Sequence, residues 1–68
     1  MRAYIIEYRV WDRAERHWIS KISQEGYDTI EKAQEYIESR PSNPVRCANM
    51  YYQTELLEEY FIHDIRIV

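Results

Sequence analysis

The sequence predicts a two-layer α+β domain: a mostly antiparallel, four-stranded sheet with one helix on one face, in the order ββαββ. Three observations predict it. Residues 2–11 and 60–68, at the two ends, carry large apolar side chains at the two-residue period of a strand. A single stretch after Gly26, the only glycine, shifts to a period near 3.6. Two further strand-like segments, residues 16–23 and 45–52, lie one on each side of that stretch, and strands that flank one helix give a sheet with the helix across one face. A chain of 68 residues makes one domain, residues 1–68.

In the first strand the even positions Tyr4, Ile6, Tyr8 and Val10 form a continuous apolar face, the expected core side. The odd positions Ala3, Ile5, Glu7, Arg9 and Trp11 are mixed, as on a half-covered face. Residues 12–15 are polar and read as a turn. Residues 16–23 return as a second strand with Trp18 and Ile22 on one face and Ile19 on the other. The loop between them contains neither Asn-Gly nor Asp-Gly, so turn type and register stay open.

The helix is expected to start at Asp28 or Thr29. Asp28 followed by Glu31 has the spacing of a capping box, and Thr29 is the alternative cap. Ile30, Ala33 and Ile37 form the stripe that faces the sheet, flanked by Tyr36 and Arg40, while Glu31, Lys32, Glu35 and Glu38 face water. About thirteen helical residues span about 20 Å. Pro41 stops the helix because it disfavours helical geometry at Arg40.

Residues 45–52 have the β-branched and aromatic content of a third strand, weakened by Ala48, Asn49 and Met50. Residues 53–59 are a connection, either loop or helical turn, since Leu56 and Leu57 lie among acids. In the last strand Tyr60, Ile62 and Val68 point one way and Phe61, Ile65 and Ile67 the other, diluted by His63, Asp64 and Arg66. Because the first and last strands are apolar on both faces, both belong in the middle of the sheet, as neighbours.

One helix covers one side of a sheet, so the other side needs a cover that this chain does not supply. A chain this short buries only about 60% of its unfolded surface. Cys47 is the only cysteine, which excludes an intrachain disulfide and leaves no Cys pair for a structural zinc. Oligomerisation is the remaining common remedy, and a homodimer is expected. Aromatics make up 15% of the chain, more than one helix and one sheet face hide. Tyr4, Tyr8, Phe61 and Trp18 are expected in the core. Trp11, Met50, Tyr51, Tyr52 and Tyr60 are expected at a protein-binding surface, being residue types that interfaces favour. Glu31, Glu35 and Glu38 on the helix, with the acids of residues 55–59, would be open to a basic partner.

Net charge is −3, unevenly distributed. Residues 1–23 carry five cations against three acids, and residues 24–60 carry eight acids against three cations. Overall acidity opposes nonspecific nucleic-acid binding, since phosphates repel a net anion. The alternative reading is a nucleic-acid-binding module built on the hairpin 8–21, where Arg9, Arg13, Arg16 and Lys21 accompany Trp18. The hairpin followed by Tyr27-Asp28-Thr29-Ile30-Glu31-Lys32-Ala33 opening a helix resembles the small strand-and-helix DNA-binding domains of phage-type integrases. That likeness covers less than half the chain and lacks the third strand that precedes the helix there.

No catalytic motif stands out. Cys47, Asn49 and His63 are the residue types of a thiol protease but lack the local sequence around such a nucleophile, so Cys47 reads as a small buried hydrophobe. His17, His63 and Cys47 are too scattered for a metal site, and a single glycine excludes a glycine-rich phosphate loop. The acid pairs Glu58 with Glu59 and Glu31 with Glu35 are explained by solvated surfaces. Neither a cofactor nor a metal is expected. No apolar run reaches the length of a signal peptide or membrane span, so a cytoplasmic protein with no membrane contact is expected. Together these features predict a non-enzymatic protein-binding module, a homodimeric regulator or inhibitor of another protein. In size and character alone it is similar to accessory proteins of phages and mobile elements, such as anti-CRISPR proteins.

Overall fold

A computed structural model describes residues 2–23 and 25–66. Among these residues the elements run β1 (Arg2–Asp12), β2 (His17–Ile22), α1 (Ile30–Glu38), β3 (Val45–Ala48), β4 (Tyr51–Gln53) and β5 (Glu58–Arg66). The α+β class is as expected, but the sheet has five strands and the order is ββαβββ. Every pairing is antiparallel, in the spatial order β2-β1-β5-β4-β3. The first and last strands are therefore central neighbours, registered Ile6 to Ile62 and Tyr8 to Tyr60.

The extra strand arises where the third segment was weakest. Asn49 and Met50 form a turn that divides residues 45–52 into β3 and β4, and a register shift between Arg46 and Ala48 bends β3 into it. Residues 54–57 form a tight turn rather than a helical one. Thr54 N donates to Glu58 O at 2.9 Å, and Thr54 Oγ1 accepts from the amides of Leu56 and Glu58. Ile67 and Val68, assigned faces above, lie outside the described residues.

The β1–β2 turn is organised by Asp12. Its Oδ1 accepts from the Ala14 and Glu15 amides at 2.9 and 3.3 Å, while Arg16 closes the loop in a left-handed conformation, φ 55°. After β2 the chain turns so that Tyr27 bridges Tyr4, with mutual backbone hydrogen bonds of 2.8 and 2.9 Å. Gly26 permits this approach, since a Cβ there would stand 3.3 Å from the Ala3 Cβ.

Thr29, not Asp28, caps the helix: it is extended, and its hydroxyl accepts from Lys32 N at 3.3 Å. Asp28 instead makes an i,i+4 ion pair with Lys32 at 2.9 Å. The helix ends at Glu38, before Pro41, with Ser39 as its C-cap. Its nine residues span only about 14 Å, whereas the eleven residues of β1 run about 36 Å. The helix therefore covers part of one face, over β1 and β5.

Beneath it lies the core of Ile6, Ala33, Ile37, Tyr52, Tyr60 and Ile62, with Tyr4, Tyr8, Tyr27 and Ile30 packed against it. The stripe Ile30, Ala33, Ile37 faces the sheet as expected. Two sets of aromatics exchange places relative to expectation. Tyr52 and Tyr60 are core residues, 0% and 4% exposed, and are not presented to a partner. Phe61 and Trp18, expected in the core, belong to the opposite face of the sheet. The reason is the two-residue period: Phe61 sits between Tyr60 and Ile62, so it faces away from whatever they face.

Candidate functional site

The register places Ala3, Ile5, Glu7, Arg9 and Trp11 of β1 on the face turned away from the helix. Their partners on that face are Trp18, Ser20 and Ile22 of β2, Glu59, Phe61, His63 and Ile65 of β5, and Tyr51 and Gln53 of β4. No described element packs over this face. It is the candidate site.

Its centre is a row of rings around one cation. Trp11 and Trp18 meet edge to face at 5.5 Å. The Arg9 guanidinium lies 5.1 Å from the Trp18 ring and 5.7 Å from the Phe61 ring, and Phe61 stacks on Tyr51 at 4.9 Å. The row crosses four strands, about 14 Å at the usual spacing. Alternation puts these residues on one side, and antiparallel register brings them level, so residues far apart in sequence become one surface. Trp18 and Ile65 remain 37% and 40% exposed despite these contacts. The strip continues to Val45 on β3, and at the far end the Trp11 amide donates to Leu57 O, in a turn where Leu56 and Leu57 are exposed.

The acids of this face are tied sideways. Glu7 accepts from the Ser20 hydroxyl and lies 2.8 Å from His63 Nε2. The Ser20 hydrogen bond, seconded by His63, holds the Glu7 carboxyl below its ordinary pKa. Glu59 accepts from the Tyr51 hydroxyl at 2.6 Å, and that bond pushes the Tyr51 pKa up. Each carboxylate is thus engaged within the face, and an apolar, aromatic strip runs between them.

The other sequence candidates are dispersed. Lys21 pairs with Tyr8 and so lies on the helix side, Arg13 and Arg16 are exposed in the β1–β2 loop, and only Arg9 and Trp18 share the open face. The basic hairpin therefore presents no single cationic surface. Glu31 and Glu35 are exposed on α1, whereas Glu38 is held by Arg46 through two hydrogen bonds of 3.1 and 3.0 Å. Arg46 also donates to the Tyr52 hydroxyl at 3.0 Å, linking the edge strand to helix and core. Met50 is exposed at the β3–β4 turn, and the amide of Gln34 reaches this turn at Asn49 O, 2.9 Å.

Cys47, expected to be buried, is exposed because it lies on the edge strand β3, with weak contacts to Val45 O and Gln53 Oε1, while His63 on β5 is engaged with Glu7. They are not brought together. Among the described residues no group of three or more His, Cys, Asp or Glu is placed to hold a metal ion, and no helix is long and apolar enough to cross a membrane. Phe61 is the residue that sequence reasoning misplaced most consequentially: alternation sets it opposite Tyr60 and Ile62, but only the seating of α1 makes its side the open one. No protein-family model, curated protein or solved structure matches the chain.

Proposed function

We propose that this chain is a non-enzymatic protein-binding module that pairs with a second copy through its uncovered sheet face and, as a homodimer, regulates or inhibits another protein. The observation that carries this reading is the row Trp11, Trp18, Arg9, Phe61 and Tyr51 on a face that no described element covers. Rings already locked against one another lose little entropy on burial, which makes them effective anchors. The same row supports isologous pairing, because the two-fold related strips are both mostly aromatic, with Arg9 held over their rings and their acids internally bonded.

Area argues in the same direction. A folded monomer of 8.4 kDa typically exposes about 4,600 Å², whereas this chain exposes 5214 Å². The excess of about 600 Å² per chain, doubled, reaches the lower end of stable interfaces. Sheet-on-sheet packing at about 10 Å is the geometry such a pair would adopt. The exposed helix acids Glu31 and Glu35 stay on the outer side of that dimer, free for a basic partner.

Stacked aromatics on a sheet also suit single-stranded nucleic acid. Against that alternative stand the dispersal of Arg13, Arg16 and Lys21 away from Arg9, and the two carboxylates on the same face. Light scattering on a size-exclusion column separates the readings. The expected mass is about twice 8.4 kDa across loading concentrations, reduced to the monomer in Trp18→Glu. A monomer at every concentration, with Trp fluorescence quenched by a single-stranded oligonucleotide, would instead favour nucleic acid.

A further inference from the structure

The helix face holds a second feature, independent of the open face. Between the C-terminal half of α1 and the strands β1 and β2 lies a groove of about 270 Å³, room for about nine waters. Ile6 lies at its apolar base, and Tyr8 and Tyr60, with ring centroids 5.0 Å apart, form one wall. Tyr36 enters from the helix, Arg40 from the turn that follows it and Lys21 from the edge strand. Two cations line this groove and no carboxylate does, in a chain whose net charge is −3.

Arg40 is unlike the paired cations. Arg2, Lys32 and Arg46 each meet a carboxylate within 3.2 Å. Among the described residues Arg40 and Lys21 meet none. Phenols position the Arg40 guanidinium instead: it lies 5.5 Å from the Tyr36 ring centroid, Nη1 is 3.4 Å from the Tyr36 hydroxyl, and the Tyr60 hydroxyl is a further partner. The guanidinium is held in place while most of its five donors remain available. A fixed, uncompensated fork beside an aromatic wall matches an oxyanion carried on a flat apolar body.

We propose that this groove binds a small aryl carboxylate or aryl phosphate, its oxyanion between Arg40 and Lys21 and its ring against the half-buried Tyr8, which Tyr60 backs from the core. The ring would replace water over apolar and aromatic surface, and the charged end would supply orientation.

The test is an amide-resolved NMR titration of the full chain with phenyl phosphate, benzoate and the neutral isostere benzyl alcohol. Phenyl phosphate or benzoate should shift the amides of Lys21, Tyr36 and Arg40 with a Kd below about 1 mM. Benzyl alcohol should bind at least about tenfold more weakly, and Arg40→Gln should cost the anions about tenfold or more. Preference between the two anions identifies the ligand as phosphate or carboxylate. Lys21→Gln, at an exposed edge, gives the same readout should Arg40→Gln lose its fold. Equal binding of benzyl alcohol, shifts confined to residues outside the groove, no binding at 10 mM (about tenfold above the expected limit), or unchanged affinity in both variants would overturn the proposal.

Discussion

Glu7 Oε1 and His63 Nε2 stand 2.8 Å apart across the two central strands, joining residues 56 positions apart in sequence. The pairing Ile5 to His63 and Glu7 to Phe61 makes them diagonal neighbours on the open face. With the Ser20 hydroxyl from β2, Glu7 links three adjacent strands through side chains alone.

This linkage gives stability a pH dependence of defined sign. The folded state holds the Glu7 pKa below its ordinary value, first through Ser20 and then through His63. The contribution is therefore fully present above the unfolded-state pKa and is lost as pH falls through the lowered folded-state pKa. Glu7→Gln should cost about 1 kcal/mol at neutral pH, since the carboxylate is partly solvated. The urea midpoints of wild type and variant should converge in acid. A difference between the two that grows below pH 4 (about the unperturbed carboxylate range) would contradict the assignment.

The core is small enough that one residue decides its fate. Ile37, on the sheet-facing side of α1, is fully buried in the tyrosine-rich core. Ile37→Ala should cost about 2–5 kcal/mol, a large share of the stability of a chain this size. Thermal melting by circular dichroism should show a fall in Tm of at least about 10 °C, and Ile37→Val a much smaller one. Near-equal melting of Ile37→Ala and wild type would show that the helix is not seated as described.

Capping distinguishes two adjacent residues that sequence spacing left equivalent. Thr29→Ala removes the hydroxyl that accepts from Lys32 N and should destabilise by about 1 kcal/mol. Asp28→Ala removes an exposed, solvent-screened ion pair and should cost clearly less than Thr29→Ala. The reverse order in chemical denaturation would reassign the cap to Asp28.

The hairpin loop stores conformational cost at Arg16, whose φ of 55° is left-handed. Glycine adopts that region without steric penalty, so Arg16→Gly should leave stability unchanged or raise it by up to about 1 kcal/mol. A valine at the same position should lower stability clearly. Equilibrium denaturation of the two variants checks the pair, and a loss on Arg16→Gly larger than that on Arg16→Val would contradict the turn geometry.

Alternation made much of the fold legible: the central pairing of the first and last strands follows from their two-sided apolar character, and the helix stripe from Ile30, Ala33 and Ile37. The division of residues 45–52 was not, because Asn49-Met50 lacks the glycine that usually marks a two-residue turn. Nor does a strand apolar on both faces reveal which face the helix takes. Tyr60 and Phe61 are adjacent aromatics of similar hydrophobicity, and only the position of α1 makes one core and the other surface. The groove was invisible for a related reason. Lys21 and Arg40 are far apart in sequence, and only the packing of the helix against β1 brings them to one cavity.

The most direct test of pairing through the open face is an isotope-filtered NOE experiment on a mixture of ¹³C-labelled and unlabelled chains. Pairing through this face should give intermolecular NOEs linking the Ile5 and Ile65 methyls of one copy to the Phe61, Tyr51 or tryptophan rings of the other. Intermolecular NOEs confined to the helix, or none at concentrations where light scattering finds a dimer, would contradict it.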